Sequence, residues 1–128
     1  MANIGHFMIP ADDVGRAKKF YTSLLGWKIE PTRTPLDPKD LAALQYQDIS
    51  TGKPEPGTLS GGGLYKRHMN EPILNFVFVD DIDAVLAKVE KLGGKITLRK
   101  TEIKGVGLNA MILDSERNTI GLLQPVQK

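Results

Sequence analysis

The chain has 128 residues, a formal net charge of +2 from 17 Lys and Arg against 15 Asp and Glu, and 41% hydrophobic residues. That length suits one compact domain, and a charge so small and so scattered excludes the electrostatic footprint of a nucleic-acid or anionic-membrane binder. Without cysteine, disulfides, zinc fingers and thiol catalysis are excluded; with no charged-then-apolar leader, and no apolar run beyond the short one around Phe76 to Val79, a cytoplasmic protein without a membrane span is expected.

A first strand covers about residues 4–10, Ile4-Gly5-His6-Phe7-Met8-Ile9-Pro10. Asp12 or Asp13 can cap a helix whose apolar positions Val14, Ala17, Phe20, Tyr21, Leu24 and Leu25 share a face, and Gly26 stops it. Residues 27–31 read as a second strand and 44–49 as a third. Between them the 35–40 stretch breaks regular structure, and Leu41 to Ala43 can add a helical turn. A surface loop over 50–57, with Pro54 and Pro56, precedes a fourth strand at 59–65. Residues 66–72, polar and ending in Pro72, form a linker. A further strand then spans 74–79, and Asp80 or Asp81 caps a helix with Ile82, Val85, Leu86, Val89 and Leu92 facing inward. Gly93-Gly94 ends it. Strands over 95–103 and 106–113 meet at Lys104-Gly105, residues 114–118 turn, and the last strand covers 119–124.

The chain thus nearly says the same thing twice: strand, Asp-capped helix, glycine stop, further strands. The expected fold class is α+β, with two βαβββ modules, about residues 1–66 and 72–128, forming a curved, mostly antiparallel sheet around a cleft. Alternation on the strands and apolar stripes on two helices require the helices to lie outside.

These residues also carry a family resemblance. The string His6-Phe7-Met8-Ile9-Pro10-Ala11-Asp12-Asp13, Phe20-Tyr21 late in the helix and Leu25-Gly26-Trp27 at its end resemble the opening of the vicinal oxygen chelate superfamily, which includes glyoxalase I, bleomycin-resistance proteins and extradiol dioxygenases. Val79-Asp80-Asp81-Ile82-Asp83-Ala84, Gly93-Gly94-Lys95-Ile96 and the closing Leu113 to Leu122 resemble its second half. The nearest subgroup is the one described as related to lactoylglutathione lyase. The resemblance implies metal ligands on the first and last strand of each module, usually His, Gln or Glu. Here His6 stands at the first of these positions, Leu74 at its counterpart and Gly121 where a glutamate is expected, while Gly61-Gly62-Gly63-Leu64 holds the fourth and offers no ligand. No metal or other cofactor is therefore expected.

Without a metal, His6 is a candidate general acid or base, or else a histidine satisfied by its neighbours. Family register turns Met8, Leu74, Phe76, Asn109, Met111 and Gly121 toward the cleft, and Gln45 and Gln47 on the third strand, or alternatively Tyr46, would add polar groups. Such a lining suits a small-molecule ligand as well as ordinary core packing. Gly61-Gly62-Gly63 lacks the Lys-Ser or Lys-Thr of a phosphate loop and more plainly permits close backbone approach. Asp80-Asp81-Ile82-Asp83 reads as helix capping rather than a metal site. Two functions follow: a metal-independent lyase or isomerase acting on a small oxygenated metabolite through His6, or a non-catalytic protein that sequesters a small molecule in the manner of bleomycin-resistance relatives. A homodimer is expected in either case, from the pairing of modules in the family and the small size of each module.

Overall fold

The computed structural model of the chain describes residues 2–126 except Pro54 and Thr58; Pro54 of the expected 50–57 loop, Met1 and residues 127–128 lie outside the described residues. The elements are β1 (Asn3–Ala11), α1 (Val14–Leu25), β2 (Lys28–Pro31), α2 (Pro38–Leu44), β3 (Gln47–Ser50), β4 (Gly61–Lys66), β5 (Leu74–Phe78), α3 (Ile82–Val89), β6 (Lys95–Ile103), β7 (Gly107–Leu113) and β8 (Thr119–Pro125). The class is α+β, and the βαβββ order occurs twice, with α2 inserted in the first. Two compact units result: His6–Ile73, and the residues up to Gly5 together with those from Leu74 onward.

In the first unit β2, β3, β4 and β1 lie side by side in that order. β1 runs parallel to β4, with Met8 opposite Gly63 and Ile9 opposite Leu64, whereas the other pairings are antiparallel. Because strand side chains alternate, Phe7, Ile9, Leu64, Gln47 and Ile49 share the face covered by α1. There Ile9, Ala11, Val14, Ile29, Ile49 and Leu64 form a buried core, with Phe7, Ala17, Tyr21 and Trp27 packed on it. Trp27 stacks on Tyr21 at 5.2 Å and 12° and meets Phe7 at 6.2 Å, which closes one side of that core with aromatic surface. α1 begins and ends for local reasons. The Asp13 carboxylate accepts the Arg16 N–H at 2.9 Å, and Gly26 takes the left-handed conformation at φ 71° that a side chain would resist.

The second unit repeats the plan with β6, β7, β8 and β5 in order, β5 being parallel to β8. Its core of Val79, Ile82, Ala110 and Leu122 lies under α3, supported by Val77, Val85, Leu86, Leu108, Ile112 and Ile120. Asp81 caps α3 by accepting the Ala84 N–H at 3.1 Å, and Gln124 on β8 accepts the Ile82 N–H at 2.9 Å. Asp83 pairs with Lys100 at 2.8 Å, so two of the three aspartates of the acidic run serve the start of the helix and its anchoring. Both helices, however, are less covered than their stripes suggest. Phe20, Leu24 and Leu25 are 57%, 64% and 51% exposed, and Leu92, expected to face inward, is 76% exposed in a 3-10 turn that follows α3.

The main departure from the sequence reading lies at 38–50. Asp37 accepts the Lys39 N–H at 2.9 Å and Pro38 occupies a first-turn position where its missing N–H costs nothing, so a full helix replaces the expected turn. α2 absorbs Leu44, and Gln45 becomes its left-handed cap at φ 47°. The third strand consequently starts at Gln47, not Leu44, and Gln45 is not on it.

Candidate functional site

On the sheet face opposite α1, β1 presents His6, Met8 and Pro10, β4 presents Gly63 and Tyr65, and β3 presents Asp48. One residue before β3, Tyr46 places its hydroxyl 3.0 Å from His6 Nε2. Its ring lies against Gly63, where any Cβ would collide with the Tyr46 hydroxyl and Cζ. On the other face the Phe7 ring lies 2.5 Å from the position a Gly62 Cβ would take. The glycine run therefore admits one aromatic ring to each side of β4.

The electrostatics keep this pair neutral. Burial lowers the His6 pKa from 6.5, and the charge of Asp48 opposes that effect without reversing it. Burial also raises the Tyr46 phenol above its ordinary range, reinforced by Asp48, so it stays protonated. A neutral imidazole and a phenol can each donate or accept, so the direction of their bond follows the His6 tautomer. Asp48 is itself held by the Arg33 N–H at 3.0 Å.

Farther along the same face, the Tyr65 hydroxyl donates to Glu71 at 3.2 Å. Burial alone would raise the Glu71 pKa; hydrogen bonds from the amides of Met69, Glu71 and His68 and from Tyr65 outweigh it and hold the carboxyl below 4.5. Arg67 reaches Asp12 at 3.0 Å and the Glu71 carbonyl at 2.6 Å. The basic end of the 66–72 linker is thus tied to its own surroundings.

In the second unit, alternation puts Leu74, Phe76, Gly121 and Met111, and beside them Phe78, Leu123 and Asn109, on the face away from α3. The Phe76 ring lies 2.5 Å from where a Gly121 Cβ would stand. Leu74 is fully buried, and Asn109 Oδ1 is buried with no hydrogen-bond partner among the described residues.

The two glutamines are placed elsewhere. Gln45 is exposed at the end of α2, and Gln47, opposite Leu64, lies on the α1 side with its Oε1 buried and without a hydrogen-bond partner among the described residues. Tyr46 takes the place beside His6 instead. Asp48 escaped the sequence reading; alternation sends it to the His6 face once the structure places Ile49 in the helix-facing core.

A family model described as Glyoxalase/Bleomycin resistance protein/Dioxygenase superfamily matches residues 3–122. The chain belongs to this superfamily. Within reach of it, the Mycobacterium bovis protein named "Putative glyoxylase CFP32" is 32% identical over 115 residues, covering 88% of this chain and 41% of its own length. "Anthracycline biosynthesis protein DnrV" of Streptomyces peucetius is 27% identical over 117 residues, covering 84% of this chain and 42% of its own. The chain therefore spans about two fifths of the length of these curated relatives, 41% and 42%. Among solved structures, the hypothetical protein BH1468 from Bacillus halodurans C-125 has the same fold, with a TM-score of 0.70 at 12% identity over 99% of this chain and 96% of that one.

Metal-dependent members of the superfamily draw one ligand from the first and one from the last strand of each module. Strand register locates the corresponding positions here. Phe76, two residues after Leu74, is opposite Gly121, and Met8, two residues after His6, is opposite Gly63. The fourth position is thus Gly63. In the first unit an imidazole and a glycine covered by an aromatic ring, and in the second a buried leucine and a glycine likewise covered, do not supply the ligands of a divalent ion, and among the described residues no three His, Cys, Asp or Glu side chains come together.

Proposed function

We propose that this glyoxalase-superfamily chain binds a small oxygenated metabolite against the His6 face of its first unit and acts on it as a metal-independent lyase or isomerase. His6 moves the proton. The observation that carries this reading is the 3.0 Å bond between His6 and Tyr46. A general base needs a neighbour that holds its ring in place, and Tyr46, one of the alternatives the sequence offered, supplies it. Burial keeps the imidazole neutral at pH 7, the form able to accept a proton. Met8 adds an apolar wall on the same strand. In the second unit Phe76 and Met111 share a sheet face with Asn109, whose amide oxygen is buried without a hydrogen-bond partner among the described residues, and apolar surface beside a polar group is common in small-molecule recognition. The name of the mycobacterial relative, "Putative glyoxylase CFP32", supports an oxygenated substrate. We further propose a homodimer, on the ground of the exposed apolar side chains of α1.

His6→Ala tests the enzymatic reading. With a carbonyl substrate identified by screening, turnover should fall about a hundredfold or more while the circular dichroism spectrum is retained. Tight binding without turnover, equal in the wild type and the variant, would instead show the sequestering protein of the bleomycin-resistance type.

A further inference from the structure

We propose that the Tyr46 hydroxyl replaces the divalent ion of the superfamily in this chain, receiving the oxygen of a neutral carbonyl ligand with His6 behind it. The inference rests on the reading of the His6 face as the ligand site. It starts from a coincidence of positions. Register puts the last-strand ligand position of the first unit at Gly63, and the Tyr46 hydroxyl fills the space into which a side chain from Gly63 would grow. The same hydroxyl is bonded to His6, the one donor that remains among the four positions. A phenol–imidazole pair therefore stands where the first unit would otherwise contribute two metal ligands.

The chemistry of the pair suits the exchange. A metal ion polarises a carbonyl by its charge; a hydrogen-bond donor in a partly buried site does the same more weakly, and without any charge of its own. When the His6 proton is on Nε2, the imidazole donates to the phenol oxygen and the phenol proton is turned outward to a ligand oxygen. With the proton on Nδ1, the phenol donates to His6 instead. A carbonyl ligand selects the first arrangement.

Asp48 then sets the ligand class. It shares the face of His6 and its charge acts on both members of the pair. Its negative charge disfavours the phenolate, so Tyr46 remains a donor. The same charge repels carboxylates and other anionic oxygens, which a divalent ion would attract. A neutral ketone, aldehyde or ester is favoured, and the corresponding carboxylate is rejected.

Acetophenone labelled with carbon-13 at its carbonyl, and benzoate as its anionic counterpart, are the probes. In the wild type the bound carbonyl resonance should move downfield, and Tyr46→Phe, which keeps the ring over Gly63, should abolish that shift. Acetophenone should bind about tenfold or more tightly than benzoate, and Asp48→Asn should narrow the gap. Nitrogen-15 spectra of the wild type give a check that needs no variant: His6 Nε2 should carry the proton in the acetophenone complex. An unprotonated Nε2 in that complex, or a carbonyl shift unchanged in Tyr46→Phe while His6→Ala abolishes binding, overturns the role of Tyr46 and leaves that of His6 standing. Binding indifferent to both variants removes the His6 face as the site. Failure of acetophenone to bind up to its solubility limit, or stoichiometric Mn²⁺ binding that broadens the carbonyl resonance, also overturns the proposal.

Discussion

Burial of the His6 imidazole withdraws the water that would stabilise its cation, and Asp48 restores only part of that loss, so the pKa lies below the ordinary 6.5. In the window between the depressed folded value and 6.5, the unfolded chain binds the proton and the folded chain does not. Stability from this group is therefore full above 6.5 and declines as the pH falls toward the folded value. A proton-NMR titration of His6 should give a midpoint below 6.5, and Asp48→Asn should lower it further; a wild-type midpoint above 6.5 would refute the stated balance. The neighbouring glycines make a second comparison. Gly63→Ala drives a methyl into the Tyr46 hydroxyl, whereas a Cβ at Gly61 meets nothing within 4 Å. Chemical denaturation should show a loss of about 1–3 kcal/mol for the first and about 0.5 kcal/mol or less for the second.

α1 and α3 depend on the chemistry of their ends as well as on packing one face against a sheet, since each is short. Asp81 satisfies an otherwise orphaned N–H at the start of α3 and sets its negative charge against the helix dipole. Asp81→Ala should cost about 1 kcal/mol in urea denaturation, with the midpoint lowered and the slope unchanged. An unaltered midpoint would mean that Gln124, which holds the Ile82 N–H, carries the helix start alone. α2 has a different purpose. Its left-handed end at Gln45 delivers Tyr46 to the edge of β3, with the Thr32 N–H bonded to the Tyr46 carbonyl at 3.2 Å. A short helix thereby aims the side chain that meets His6.

For the whole molecule, the exposed apolar side chains are concentrated enough on α1 to matter. Phe20 and Leu24 lie one turn apart, Leu25 adjoins them, and all three are more than half exposed. Single exposed leucines are common, but a contiguous patch on one helix marks a surface that gains by association. With α1 as the contact, sedimentation equilibrium at micromolar concentration should give twice the chain mass, and Leu24→Asp should return it to the chain mass. A wild-type monomer under those conditions would rule out the homodimer.

The duplicated order of elements, the capped helices and the identities of the residues at the four ligand positions were all legible in the sequence, because each depends on local properties. Strand alternation, an Asp before an apolar stripe, a glycine after it and the identity of four side chains can be read without knowing what touches what. The start of β3 was not legible in that way. Asp37 and Pro38 signal a helix start, but Gln45 lacks the glycine that usually marks a left-handed helix end, so the sequence alone extended the strand back to Leu44. A strand changes face at every residue, so the side-chain identities left Gln47 and Tyr46 as alternatives for the His6 face. Only the tertiary structure decided between them, because the choice depends on β3 pairing with β4 through Gln47 and Leu64 and on a glycine at position 63 that leaves room for the ring of Tyr46.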